Sequence, residues 1–163
     1  MKLIYALYGL APFLTSCAMV MPQNAQEFRD ATATAYTIKK EILVVDRSFQ
    51  AVLEDFKRHY DRCLSVNVKR VSNTSVIFTD YRPTLKVSEK KAELYLQYQH
   101  RGGVINVLKI PPGGYYALVV DIVAAGKNRT DISMFRPTFG YSALNRAIRG
   151  WADGTISGCP DLP

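Results

Sequence analysis

The clearest periodicity in the chain is helical. Phe49, Val52, Leu53, Phe56, Tyr60, Cys63 and Leu64 follow one another at offsets of three and four, the spacing of a stripe that faces a core. Asp46 and Ser48 precede it, with side-chain oxygens suited to capping the first backbone donors. Before this helix Tyr36, Ile38, Ile42 and Val44 alternate with Thr37, Lys39 and Glu41, and Leu43 and Val45 close an apolar end, so Tyr36 to Val45 is predicted to be a strand. After the helix the period is two. Val66 and Val68 share one face of Leu64 to Val71; beyond the polar turn Ser72-Asn73-Thr74, Val76 and Phe78 stand opposite Ile77. This strand is expected to break at Arg82-Pro83, because proline cannot donate to a ladder.

Residues 90 to 100 predict the next strand, with Leu94, Leu96 and Tyr98 opposed to Glu93, Tyr95, Gln97 and Gln99. Arg101-Gly102-Gly103 reads as a hairpin turn, Val104 to Ile110 as its returning strand, and Pro111-Pro112-Gly113-Gly114 as a further turn. Tyr115 to Ala125 is the longest predicted strand. Its face Tyr116, Leu118, Val120 and Ile122 is wholly apolar and is assigned to the core; Tyr115, Ala117, Val119, Asp121 and Val123 lie opposite. Asp131 to Phe135 predicts a short edge strand. A second helix is expected from Ser142 to Ala152, with Leu144, Ile148 and Trp151 at helical offsets and Arg146 and Arg149 outward, before Gly154, Gly158 and Pro160 end regular structure.

Strand, helix, several hairpin-linked strands and a terminal helix define an α+β domain over residues 36–163, in which a curled antiparallel sheet packs on two helices. The order resembles that of the helix-grip folds, to which lipid-transfer START domains and some envelope lipoproteins belong. The likeness is one of topology over about residues 36 to 155, and no sequence motif accompanies it.

The first 35 residues differ from the rest. Lys2 supplies one positive charge, Leu3 to Leu14 is apolar, and small residues follow; this is the layout of a secretory signal. The run is shorter than the roughly 20 apolar residues of a membrane-crossing helix. Leu14-Thr15-Ser16-Cys17 resembles the lipobox of bacterial lipoproteins. The resemblance implies cleavage of residues 1–16 and a diacylglyceryl thioether on Cys17, with two or more acyl chains holding the protein on a membrane. In that family an aspartate after the cysteine commonly retains the protein at the inner membrane; here the residue is Ala18, which implies the outer membrane, facing the periplasm. Residues 17–35, with Pro22, Gln23, Asn24 and the run Ala31 to Ala35, have no sustained apolar period and are expected to form the lipidated start and a flexible tether.

Composition narrows the partners. The 163 residues carry a net charge of +7, of which Lys2 supplies one, leaving +6 once the signal is removed. Such a chain in an envelope favours anionic lipid headgroups, lipopolysaccharide phosphates or acidic polymers, and no nucleic acid is expected there. Of three cysteines, Cys17 is taken by the lipid, leaving Cys63 and Cys159 in an oxidising compartment. A disulfide between them is the economical reading, against two buried thiols; a metal site would need more ligands than His59 and His100 supply.

No motif for catalysis or cofactor binding is present. His59 lies at the edge of the helical stripe and His100 beside a turn, without a nucleophile and third group at a recognisable spacing. Asp121 is the single carboxylate of a strongly apolar strand, and facing outward opposite a lysine or arginine it would cost little. Its companions Tyr115 and Val119, with Tyr95, Ile105 and Val107 on neighbouring strands, form a candidate partner-binding patch, unless a loop or the second helix covers them. Two functions follow. The preferred expectation is a non-enzymatic envelope lipoprotein that binds or helps to assemble another envelope protein. The alternative is a carrier in which Phe78, Leu96, Leu144 and Trp151 enclose a cavity for a lipid or other apolar ligand.

Overall fold

The computed structural model describes residues 21–101, 110–156 and 158–163. These form an α+β arrangement of one six-stranded antiparallel open sheet and three α-helices. The strands are β1 (Ile38–Val45), β2 (Asn67–Val71), β3 (Val76–Val87), β4 (Lys91–Arg101), β5 (Tyr115–Gly126) and β6 (Arg129–Pro137); the helices are α1 (Ala25–Asp30), α2 (Phe49–Leu64) and α3 (Ser142–Asp153). Across the sheet the order is β1-β6-β5-β4-β3-β2. The strands β1 and β2 occupy opposite edges, so the helix that joins them crosses a sheet face. That crossing explains why α2 has so complete an apolar stripe.

The α2 helix has the bounds that its stripe predicts, and the Ser48 hydroxyl accepts from the Ala51 amide at 3.3 Å. It packs with α3 on one face, here called inner, where Leu94, Leu96, Leu118, Val120, Ile122, Ile132 and Met134 meet Val52, Phe56, Leu144, Ile148 and Trp151 in one continuous core. Phe56 meets Trp151 edge-on at 6.0 Å and the His59 ring stacks on it at 5.3 Å. Gly154, at φ +73°, takes the left-handed conformation that closes α3. The expected Cys63–Cys159 disulfide is present and ties residues 158–163 to the end of α2, where Leu162 is buried.

Five sequence expectations need correcting. The strand expected at Asp131 to Phe135 is not a short edge strand: β6 runs from Arg129 to Pro137 and lies inside the sheet, between β5 and β1. Pro83 does not stop β3, which continues to Val87 and pairs Pro83 with Leu96 of β4. The Tyr81 amide points towards β2, donating to the Val66 carbonyl at 2.8 Å, and Pro83, two residues on, points the same way. The ladder between β2 and β3 ends at Asn67 and Asp80, so the missing donor falls on an unpaired edge.

In β1 the phase is the reverse of the predicted one. Glu41, Leu43 and Val45 lie on the inner side, and Ile42 and Val44 are 63% and 51% exposed. Glu41 is tolerated inside because Arg136 and the Asn145 amide each reach it at 3.3 Å and Arg149 ion-pairs with it, fastening α3 to the edge of the sheet.

In β5 a bulge shifts the pairing with β4: Leu96 pairs with Leu118 but Gln97 pairs with Tyr116. A one-residue slip exchanges the faces of what lies beyond it. Tyr115 therefore turns inward, with its ring 5.7 Å from that of Tyr98, and Tyr116 turns outward.

Residues 25–33 are not a tether but α1 followed by a 3-10 turn at Ala31–Ala33. The remaining expectations at the start of the chain (signal, Cys17 and Ala18) and the turn and strand at residues 102–109 lie outside the described residues.

Candidate functional site on the outer face

The α1 helix lies on the face opposite α2 and α3. It begins with a reciprocal cap: the Asn24 side chain accepts from the Glu27 amide at 2.9 Å, and the Glu27 carboxylate accepts from the Asn24 side chain and from the Gln23 amide, both at 2.7 Å. Six residues cannot hold a helix by propensity; contact with the sheet must supply the rest. Phe28 does so. It is 4% exposed and packs on Val119 and Phe135, with Ala25, Ile38, Tyr95 and Tyr116 around it. The ring of Tyr116 lies 5.7 Å from Phe28 and 6.5 Å from Tyr95.

Next to this apolar bay two carboxylates face each other across β4 and β5, since Glu93 pairs with Asp121. Like charges directly opposite are destabilising. Arg29 resolves the conflict, donating to Asp121 through two nitrogens at 2.6 and 2.9 Å and to Glu93 at 3.0 Å. The cation that Asp121 needs comes from α1, not from the strand beside it. Lys91 donates to Glu93 at 2.7 Å, and that bond, with a second from the Tyr95 hydroxyl, holds the Glu93 carboxyl below the usual range. Burial and the Glu93 carboxylate push the Tyr95 hydroxyl up to about 12. The cluster is charge-balanced and its members are engaged with one another.

Of the expected partner-binding residues, the structure brings Tyr95 and Val119 together as a cross-strand pair, beneath Phe28, with Val119 fully buried. Tyr115 is on the other face, and Ile105 and Val107 lie outside the described residues. The cover is neither a loop nor the second helix. The sequence reading missed Phe28 and Arg29, although Asn24 and Glu27 at capping-box spacing were a readable signal.

Of the residues expected around a carrier cavity, Leu96, Leu144 and Trp151 are at most 1% exposed and belong to the packed inner core. Phe78 is on the outer face, 38% exposed, with Lys69 5.9 Å above its ring. A separate cavity of about 170 Å³, lined by Met21, Phe28, Ile38, Tyr98, Tyr115 and Tyr116 among others, sits at the end of the sheet where β1 and β5 begin. It is smaller than the roughly 300 to 1,000 Å³ of usual ligand sites.

Both histidines have structural surroundings. His59, 2% exposed, has its Nδ1 3.2 Å from Arg62 while its ring stacks on Trp151; burial, then Arg62 and Arg58, lower its pKa. The Nδ1 of His100 is 3.0 Å from the Thr79 hydroxyl. No group of three or more histidine, cysteine or acidic side chains among the described residues is arranged to hold a metal.

The edge of the sheet offers a more open surface. Among the described residues β1 pairs with β6 alone. A shallow groove of about 520 Å³, lined by Thr32 to Tyr36 and Ile38 to Lys40, lies where the chain enters β1, and Ile42 and Val44 are exposed farther along the strand.

No family model and no curated protein matches the sequence. An uncharacterized protein from Bacillus thuringiensis of known crystal structure is similar at 8% identity over 69% of this chain and 90% of that one, with a TM-score of 0.27. A likeness at that level carries no argument about function.

Proposed function

We propose that this chain is a non-enzymatic lipoprotein of a bacterial envelope, anchored through Cys17 and facing the periplasm from the outer membrane, whose domain binds another envelope protein along the free edge of β1. The observation that supports it best is that edge: among the described residues β1 has a sheet neighbour on one side only, Ile42 and Val44 are exposed, and a groove runs along residues 32–40. An unpaired strand is a template for β-augmentation, in which main-chain bonds give affinity and alternate side chains give specificity. Lys39 and Lys40 disfavour pairing with a second copy of the same edge, and select an extended segment that carries acidic side chains. The placement of α2 and α3 on one face is in keeping with a helix-grip-like arrangement, and α1 is an addition to it on the other face.

The carrier alternative is not taken further, because three of its four side chains are packed into the core and Phe78 points to the other face. A photo-crosslinking residue at position 42 or 44, in intact cells, tests the preferred reading. A discrete adduct with one envelope protein is expected, lost when Lys39 and Lys40 are both changed to Glu. No adduct, or the same pattern from position 87, four strands away at the end of β3, would remove the reading.

A further inference from the structure

The described chain begins at Met21, and Met21 lines the cavity at the end of the sheet together with Thr37, Ile38, Tyr115 and Pro137. This is the end at which β1 and β5 start and β6 stops. Large apolar side chains are exposed there: Tyr36 at 84%, Phe139 at 78%, Ile110 at 39% and Met21 at 37%. The backbone that carries Tyr36 is tied to that preceding Phe139, because the Thr138 amide donates to the Thr37 carbonyl and the Thr138 hydroxyl to the Tyr36 carbonyl, both at 2.8 Å. Two exposed rings and two smaller apolar groups at one end of a domain are hard to account for as ordinary surface.

We infer that this rim rests on a phospholipid bilayer, with Tyr36 and Phe139 in the interfacial layer. Aromatic side chains favour that layer, where an apolar body and a wet edge are both accommodated. The occupant is identified by the chain itself. On the lipoprotein reading, upon which this inference rests, the acylated residue is Cys17, and four residues reach no more than about 14 Å. Because α1 is docked on the sheet, the slack expected from a 17-residue tether is absent, and the anchor must hold this end of the domain, and not the end at Val87, next to the membrane.

The test uses the full chain matured in a bacterium, purified from membranes and reconstituted into vesicles of phosphatidylethanolamine and phosphatidylglycerol with brominated acyl chains. Tyr36→Trp and Phe139→Trp are compared with Val87→Trp, which is 47% exposed at the opposite end of the sheet. The native Trp151, fully buried, supplies the background. Tryptophan at 36 and 139 is expected to be quenched severalfold more than at 87; equal quenching at the three positions overturns the inference. The N-terminal peptide mass of the same sample separates the two ideas. Unequal quenching with an unmodified Cys17 sustains the rim and removes the anchor. Equal quenching with an acylated Cys17 removes the rim alone, and equal quenching with an unmodified Cys17 removes both.

Discussion

The two faces of the sheet are covered by different means. On the inner face α2 and α3 supply 28 residues of helix, a stacked and edge-on group around Trp151, and a disulfide that fastens the tail. On the outer face a six-residue helix contributes one phenylalanine and one arginine. Full burial of a large apolar side chain contributes about 1.5 to 3 kcal/mol, and the inner face has many such side chains where α1 has Phe28. The Arg29 ion pairs, whose side chains are largely buried, mainly offset their own desolvation and so add little net. The inner cover is therefore part of the global fold, whereas the outer one is held by little and belongs to the low-stability end of the molecule.

That contrast can be broken from the inner side first. Trp151→Ala should cost about 3 to 5 kcal/mol, as large-to-small changes in packed cores do, and urea denaturation should show the shift as a lower midpoint. Replacing both Cys63 and Cys159 by Ala opens a loop with a sequence separation of 96. The expected loss is about 2 to 4 kcal/mol, read as the difference between variant and parent, with reductant lowering the parent alone. Phe28→Ala removes the main contact of α1 and should cost about 1.5 to 3 kcal/mol, the loss of burial without a cavity, because one side of the site can open to water. Trp151, the single tryptophan, should keep its emission spectrum in that variant, and Tyr95 and Val119 should become accessible. A spectral change as large as that of an inner-face variant would mean that the faces are one cooperative unit.

The smallest expected effect is that of pH on His59. Burial lowers its pKa from 6.5, so the unfolded chain takes up a proton before the folded one does. Stability from this group is intact above pH 6.5 and falls as the pH drops from there through the folded pKa. Comparing denaturation midpoints above and below pH 6.5 in the parent and in His59→Gln measures it; the variant should lose this part of the pH dependence. On the outer face the sign is that of a carboxylate. The lowered pKa of Glu93 gives stability that is present at neutral pH and is lost in acid.

How much of this was legible depended on whether polar residues marked the phase. The α2 stripe is interrupted by charged residues at regular intervals, and its bounds could be read directly; α3 and most of β4 likewise. In β5 the residues from Tyr115 to Val120 are all apolar, so nothing in their order indicates where a bulge exchanges the two faces. The packing at the start of β5 is visible only in three dimensions, where an added Cβ on Gly114 would run into the backbone of Tyr98. For α1, one buried side chain gives no period at all, and Asn24 and Glu27 were the sole local cue. The disulfide was read from compartment and count, and geometry agrees. Asp121 was recognised as needing a cation, but its source, 92 residues earlier, could not be found from strand neighbours.

The most direct measurement is the mass of the N-terminal peptide of protein extracted from membranes, since the proposed envelope function and the proposed membrane rim both start from an anchor at Cys17. The expected peptide begins at Cys17 and carries a diacylglyceryl group on its sulfur, and Cys17→Ser abolishes both the modification and the membrane association. A membrane-bound protein whose Cys17 is unmodified, or whose association survives Cys17→Ser, would contradict it.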